Sequence, residues 1–203
     1  MRRRARASAL LASCVLILIG CAQPELPRDA FHRLAVADPQ SRPGPPLLPG
    51  TLEIQRLSAD GLTGERPLLY AFRDEPQVLR QYSYNFWNDV PPAIVQEQLV
   101  RYLRAARAAD TVVTPGLRQR ADYELVGTIK RFEQVIGPPH GVTVEAELGM
   151  VRVKDDKLLL LKTYRAERPS AEDTPAAAAT AINEAIDHIF AHFVEDLAAP
   201  GVR

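Results

Sequence analysis

Tyr123-Glu124-Leu125-Val126-Gly127-Thr128-Ile129-Lys130 puts Tyr123, Leu125, Gly127 and Ile129 on one parity and Glu124, Thr128 and Lys130 on the other, with Val126 the exception. Such alternation marks a strand with one buried and one wet face. After the turn-forming Gly137-Pro138-Pro139-His140-Gly141 the pattern resumes: Val142, Val144, Ala146, Leu148 and Met150 alternate with Thr143, Glu145, Glu147 and Gly149. Asp155-Asp156 turns the chain into a third strand, Leu158 to Glu167. Short turns join antiparallel neighbours, so the three strands form an antiparallel meander.

Upstream, Thr51 to Leu57, Leu68 to Phe72 and Val78 to Phe86 read as further strands; the last carries Val78, Arg80, Tyr82, Tyr84 and Phe86 on one parity. Asn88-Asp89 opens a helix, with Asp89 at the cap and Pro91 in the first turn, where its missing N–H costs nothing. Ile94, Val95, Leu99, Tyr102, Leu103 and Ala106 keep helical spacing to about Ala108, and Thr111 to Val113 follows as a short strand. Thr174-Pro175 caps a second helix, Ala176 to Leu197, with an apolar stripe of Ile182, Ile186, Ile189, Phe193 and Leu197. The expected class is α+β: an antiparallel β-sheet with two main helices packed on one face.

The 203 residues suffice for one domain with short extensions. Lys plus Arg and Asp plus Glu both number 25. Arg2, Arg3, Arg4 and Arg6 supply four of those basic residues, so the rest of the chain carries 21 basic and 25 acidic groups. A mildly acidic body has no nucleic-acid footprint. The Arg-rich start leads into an apolar run, Ala9 to Ile19, too short to span a bilayer but right for a secretion signal. It ends in Leu18-Ile19-Gly20-Cys21, which resembles the lipobox of bacterial lipoproteins. Residues 1–20 are therefore expected to be a lipoprotein signal peptide, and Cys21 the lipidation site. Cys14 leaves with the signal, so the mature chain has neither a free thiol nor a disulfide. Residues 21–50 form a Pro-rich tether with a short first strand, Phe31 to Ala35; residues 51–198 form the domain. Pro39, Pro43, Pro45, Pro46 and Pro49 exclude helix there.

Motifs that carry chemistry are sparse. Neither a Gly-rich phosphate loop nor a Gly-x-Ser-x-Gly elbow is present. His188 and His192, four apart on a helix, have metal-ligand spacing, with Glu184 or Glu195 nearby and His32 or His140 as distant third ligands. Opposite so clean an apolar stripe, they read as a solvated face instead, and no metal is expected. Asp155-Asp156 reads as a turn, not a carboxylate pair. Trp87, the single Trp, is either a hydrophobic plug or, with Tyr82 and Tyr84, an anchor for a partner, since aromatic residues dominate interface hot spots. The chain is read as no enzyme.

The lipobox, Phe31-His32-Arg33-Leu34, Leu68-Leu69-Tyr70-Ala71, the run from Gln81 through Trp87 to Pro91, and Ala121-Asp122-Tyr123-Glu124-Leu125 with Phe132-Glu133 appear in an order that resembles the ABC-type transport auxiliary lipoprotein family. Asn85-Phe86 departs from it where members often carry Arg. The resemblance implies diacylglycerol and an N-acyl chain on Cys21 and no other cofactor. It implies an outer-membrane location facing the periplasm, since Ala22 replaces the Asp that tends to retain lipoproteins at the inner membrane. The implied partners are an MCE-domain periplasmic protein and, through it, an inner-membrane permease and ATPase, with a homo-oligomeric ring of copies at the docking end. The rival reading is an assembly or activator lipoprotein serving a cell-wall synthase or lipopolysaccharide export. A lipid carrier with an apolar cavity is a third.

Overall fold

A 14-residue strand, Tyr123–Ile136, is the spine on which the other strands are laid. The structure, a computed structural model, describes residues 27–39 and 44–200. In chain order its strands are β1 (Ala30–His32), β2 (Leu48–Ile54), β3 (Ser58–Ala59), β4 (Pro67–Phe72), β5 (Glu75–Trp87), β6 (Ala109–Val113), β7 (Tyr123–Ile136), β8 (Gly141–Arg152) and β9 (Lys157–Pro169). Helix α1 spans Pro91–Ala105 and α2 spans Pro175–Ala198. The expected signal peptide and the start of the expected tether lie outside the described residues.

One edge of β7 pairs antiparallel with β8, from Tyr123↔Arg152 to Val135↔Gly141, and β8 pairs antiparallel with β9. This is the expected meander. The other edge of β7 takes three parallel partners in succession: β2 at Leu52↔Tyr123, β3 at Ser58↔Thr128 and β4 at Leu69↔Glu133. Residues 48–72 thus run beside β7 as one interrupted strand, with a 3₁₀ turn at Gly61–Gly64 looped out between its pieces. Strand β5 returns antiparallel to β4, β1 adds parallel to β5, and β6 adds parallel to β2 beyond α1. The α+β class and two helices are as expected, but the sheet is mixed. Alternation reports which face a residue occupies, not the direction of its neighbouring strand, and parallel neighbours need a crossover that residue periodicity does not show.

The β7–β8 register slips by one residue between Ile129 and Arg131. This bulge reverses the parity of β7, so Phe132 joins Tyr123, Leu125 and Ile129 on the core side while Val126 faces solvent at 40% exposure. Phe132 meets Trp87 at 5.1 Å between ring centroids. Tyr102 of α1 meets Phe190 of α2 at 5.3 Å, and Tyr164 of β9 meets Phe193 at 5.9 Å, so both helices close over one shared core. The stripe from Ile182 to Leu197 is buried as expected, and Ala178 and Ala185 let α2 approach the sheet.

The second helix starts as its sequence dictates: the Thr174 hydroxyl accepts a hydrogen bond from the Ala177 N–H at 3.2 Å and Pro175 fills the first turn. The first does not. Val90 is its N-cap, no side chain caps it, and Asp89 instead accepts from the adjacent Val90 N–H at 2.7 Å. Pro91 and Pro92 both occupy the first turn, which removes two of the donors a cap would satisfy. The helix ends at Ala105 rather than Ala108 because Arg107 takes φ +53°.

Two substitutions test this packing. Trp87→Ala is expected to cost about 3–5 kcal/mol, the usual loss for a buried aromatic, read as a lower urea midpoint. Gly50 sits at φ +89°, where an added Cβ would collide with the Asp122 carboxylate that accepts from the Thr51 N–H at 2.8 Å. Gly50→Ala should cost about 1–3 kcal/mol by the same measurement, since both the backbone angle and the space are unsuited to a side chain.

Candidate functional site

The aromatic run of β5 divides between three environments. Trp87 is 1% exposed, packs on Phe132, and donates its backbone N–H to the Arg66 carbonyl at 2.8 Å. It has the placement of the plug and offers no ring surface to a partner. Tyr82 is half-buried: its hydroxyl donates to Gln134 Oε1 at 2.8 Å and its ring lies 4.6 Å from that of Tyr70. Burial, with Tyr70 and Asp173 adding, pushes its phenol up to about 12. Tyr84, by contrast, is 41% exposed. The single parity expected for Val78 to Phe86 is lost because β5 slips against β4: Leu69 pairs with Gln81, yet Pro67 pairs with Phe86. That slip puts Tyr82 toward the core while Tyr84 and Phe86 lie away from Trp87. Phe31 of β1, opposite Phe86, stacks on it at 5.7 Å and is itself 56% exposed. The guanidinium of Arg66 lies 5.5 Å over the Phe31 ring.

A cleft of about 410 Å³ opens where β4, β7, β8 and β9 end, lined by Arg73, Arg131, Arg165, His140 and Glu167 among others. Its charges answer one another. Arg165 bonds Glu167 at 2.6 Å and Glu145 at 3.2 Å, and Arg131 pairs with the buried Glu133. The hydrogen bond from Arg165 holds the Glu167 carboxyl below its ordinary range, against the opposing effect of burial. Of these pairs Arg165–Glu145 crosses from β9 to β8 and the other two lie within a strand, while Arg73 and Arg168 bond backbone carbonyls instead.

His188 and His192 stack at 4.1 Å. Burial first, then Arg168 and His192, pushes the His188 imidazole down against the pull of Asp187 and Glu195. The structure brings neither distant histidine to them: His32 bonds Asn85 Oδ1 at 3.0 Å, and His140 Nδ1 lies 3.3 Å from Asp173. Among the described residues no group of three His, Cys, Asp or Glu could hold a metal ion. Asp155 is engaged by Arg152 at 2.8 and 2.9 Å and Asp156 takes φ +53°, which is turn geometry. No helix of the described residues is long and apolar enough to cross a membrane.

One polar cluster escaped sequence reasoning. Asp196 of α2 accepts from Tyr164 at 2.6 Å and Lys162 at 2.8 Å, pinning the helix to β9. Tyr164 lies on a strand and Asp196 on a helix 32 residues later, and only the packing of α2 on β9 joins them.

Residues 34–193 match the family described as the ABC-type transport auxiliary lipoprotein component. The chain belongs to that family. Within the fold, the match takes in every element after β1 except the last turn of α2. As an ABC-type transport auxiliary lipoprotein, the chain shares its fold with a Xanthomonas campestris protein of the DUF330 family, at TM-score 0.72 and 20% identity over 81% of this chain and 92% of that one. A second solved structure, of an uncharacterized protein, aligns at TM-score 0.67 and 11% identity over 84% of this chain and 99% of that one. No curated protein matches.

The Asp196 cluster supplies a test. Burial raises its carboxyl pKa, but the bonds from Lys162 and Tyr164 outweigh this and lower it. A carboxyl whose folded pKa is depressed stabilises the fold above its unfolded value of about 3.9 and loses that contribution as pH falls. Asp196→Asn should therefore cost about 1 kcal/mol at neutral pH and flatten the decline in stability below about pH 4, measured by urea unfolding across pH.

Proposed function

We propose that this auxiliary lipoprotein is a non-catalytic component of an MCE-type lipid transport system. It is acylated at Cys21, faces the periplasm from the outer membrane, and docks the conduit there. The observation that carries this reading is the family match over residues 34–193, which spans almost the whole folded body. The sequence Leu18-Ile19-Gly20-Cys21 supports the anchor, and Ala22 supports the outer membrane as its place. Two or more acyl chains, each methylene contributing about 0.8 kcal/mol, hold a protein at a bilayer without a spanning helix.

In this reading the lipid fixes one end of a conduit. The domain supplies the surface that an MCE-domain protein meets, in a ring of copies, and the permease and ATPase act from the inner membrane. Of Tyr82, Tyr84 and Trp87, Tyr84 has the ring most open to solvent, so conduit contact through this trio cannot run through the Trp87 indole.

Cys21→Ala is expected to move the protein from the membrane fraction to the soluble periplasm and to abolish transport-linked resistance; full secretion with an unchanged phenotype would overturn the reading. A pull-down from solubilised membranes should recover an MCE protein, a permease and an ATPase by mass. Recovery of a cell-wall synthase or a lipopolysaccharide export component in their place would favour the assembly role.

A further inference from the structure

Phe31, Tyr84 and Phe86 form a small aromatic surface at the β1–β5 border of the sheet. Phe31 and Tyr84 are among its more exposed large side chains, and Phe86 is half-buried beneath the Phe31 ring. Internal packing does not account for them, because the core side of the same strands is already filled by Trp87. Exposed aromatic clusters on an otherwise charged surface mark contact sites. Amphipathic aromatic rings such as that of Tyr84 favour the boundary between water and acyl chains.

The position of this surface in the chain singles out its occupant. Phe31 lies ten residues after Cys21, and six peptide links separate Cys21 from Pro27, where the described chain begins. Six residues extend at most about 20 Å. A lipid on Cys21 therefore tethers the body by its β1 border, which is the border that carries the aromatic cluster. The Arg66 guanidinium lies over Phe31 and bonds the carbonyls of Trp87 and Asn88 at 3.4 Å. There its charge sits beside the rings at the level where lipid phosphates would lie. A second exposed apolar group, Val126, Leu158 and Leu161, is on β7 and β9.

We propose that Phe31, Tyr84 and Phe86, with Arg66 at their rim, are a membrane-contact face that seats the body on the bilayer holding its lipid. The inference rests on acylation of Cys21. It assigns Tyr84 to lipid rather than to a protein partner. The acyl chains already hold the protein at the bilayer, and the face adds buried apolar area that also fixes its orientation.

The test uses the mature acylated protein, with nitroxide labels on Phe31→Cys, Tyr84→Cys and, as control, Leu161→Cys, in vesicles of phosphatidylethanolamine and phosphatidylglycerol. All three positions are exposed, so the labels do not disturb the core. Flotation confirms the anchor first, and collision with oxygen and a nickel chelate then reports depth. Labels at 31 and 84 should show a several-fold higher oxygen-to-nickel accessibility ratio than the label at 161. Equal ratios in floated vesicles overturn the contact face and leave the anchor standing. Failure to float overturns the acylation reading and the face with it. Spectral broadening at 31 that disappears on dilution with unlabelled protein would give the surface to a second copy and overturn the assignment to lipid.

Discussion

β7 is hydrogen-bonded along both edges, and this double pairing sets the rest of the body. On one side β8 follows it for its whole length; on the other β2, β3 and β4 share it in turn. A strand buried in this way cannot shift by one residue without turning its apolar side chains toward water. The bulge at Lys130 is the one controlled exception, and it delivers Phe132 to Trp87. The helices then have a single face to cover. Ala178 and Ala185 set how closely α2 can approach, and the Tyr102–Phe190 contact joins it to α1.

Much of this architecture is legible in the residues. The meander, both helices and the apolar stripe of α2 follow from periodicity, because each has one clear wet face. What periodicity misses has identifiable causes. Strand direction leaves no trace in side-chain alternation, so the parallel partners of β7 are invisible until the chain is folded. The slips in β5 defeat a parity reading of Val78 to Phe86 and send Tyr82 and Tyr84 to different surroundings. Asp89 looked like a cap, but two prolines had already removed the donors it would have served.

The functional residues were legible unevenly. The proposed lipidation of Cys21 rests on Leu18-Ile19-Gly20-Cys21 alone, since a peptidase and an acyl donor would need little more than that short segment. Trp87 drew attention as the single Trp, yet composition cannot separate a buried indole from an exposed one. The bond from Tyr164 to Asp196 joins residues 32 apart on different elements, and no spacing rule connects them. Phe31 was visible as part of a short aromatic segment, but its pairing with Phe86 belongs to the tertiary fold.

β9 closes the meander and, among the described strands, pairs with β8 alone. Its outer rim thus carries, along thirteen residues, amide and carbonyl groups that no other described strand takes up. Lys157, Lys162, Arg165 and Arg168 stud that rim. Charged side chains along an edge strand discourage fibre-like zipping between identical borders.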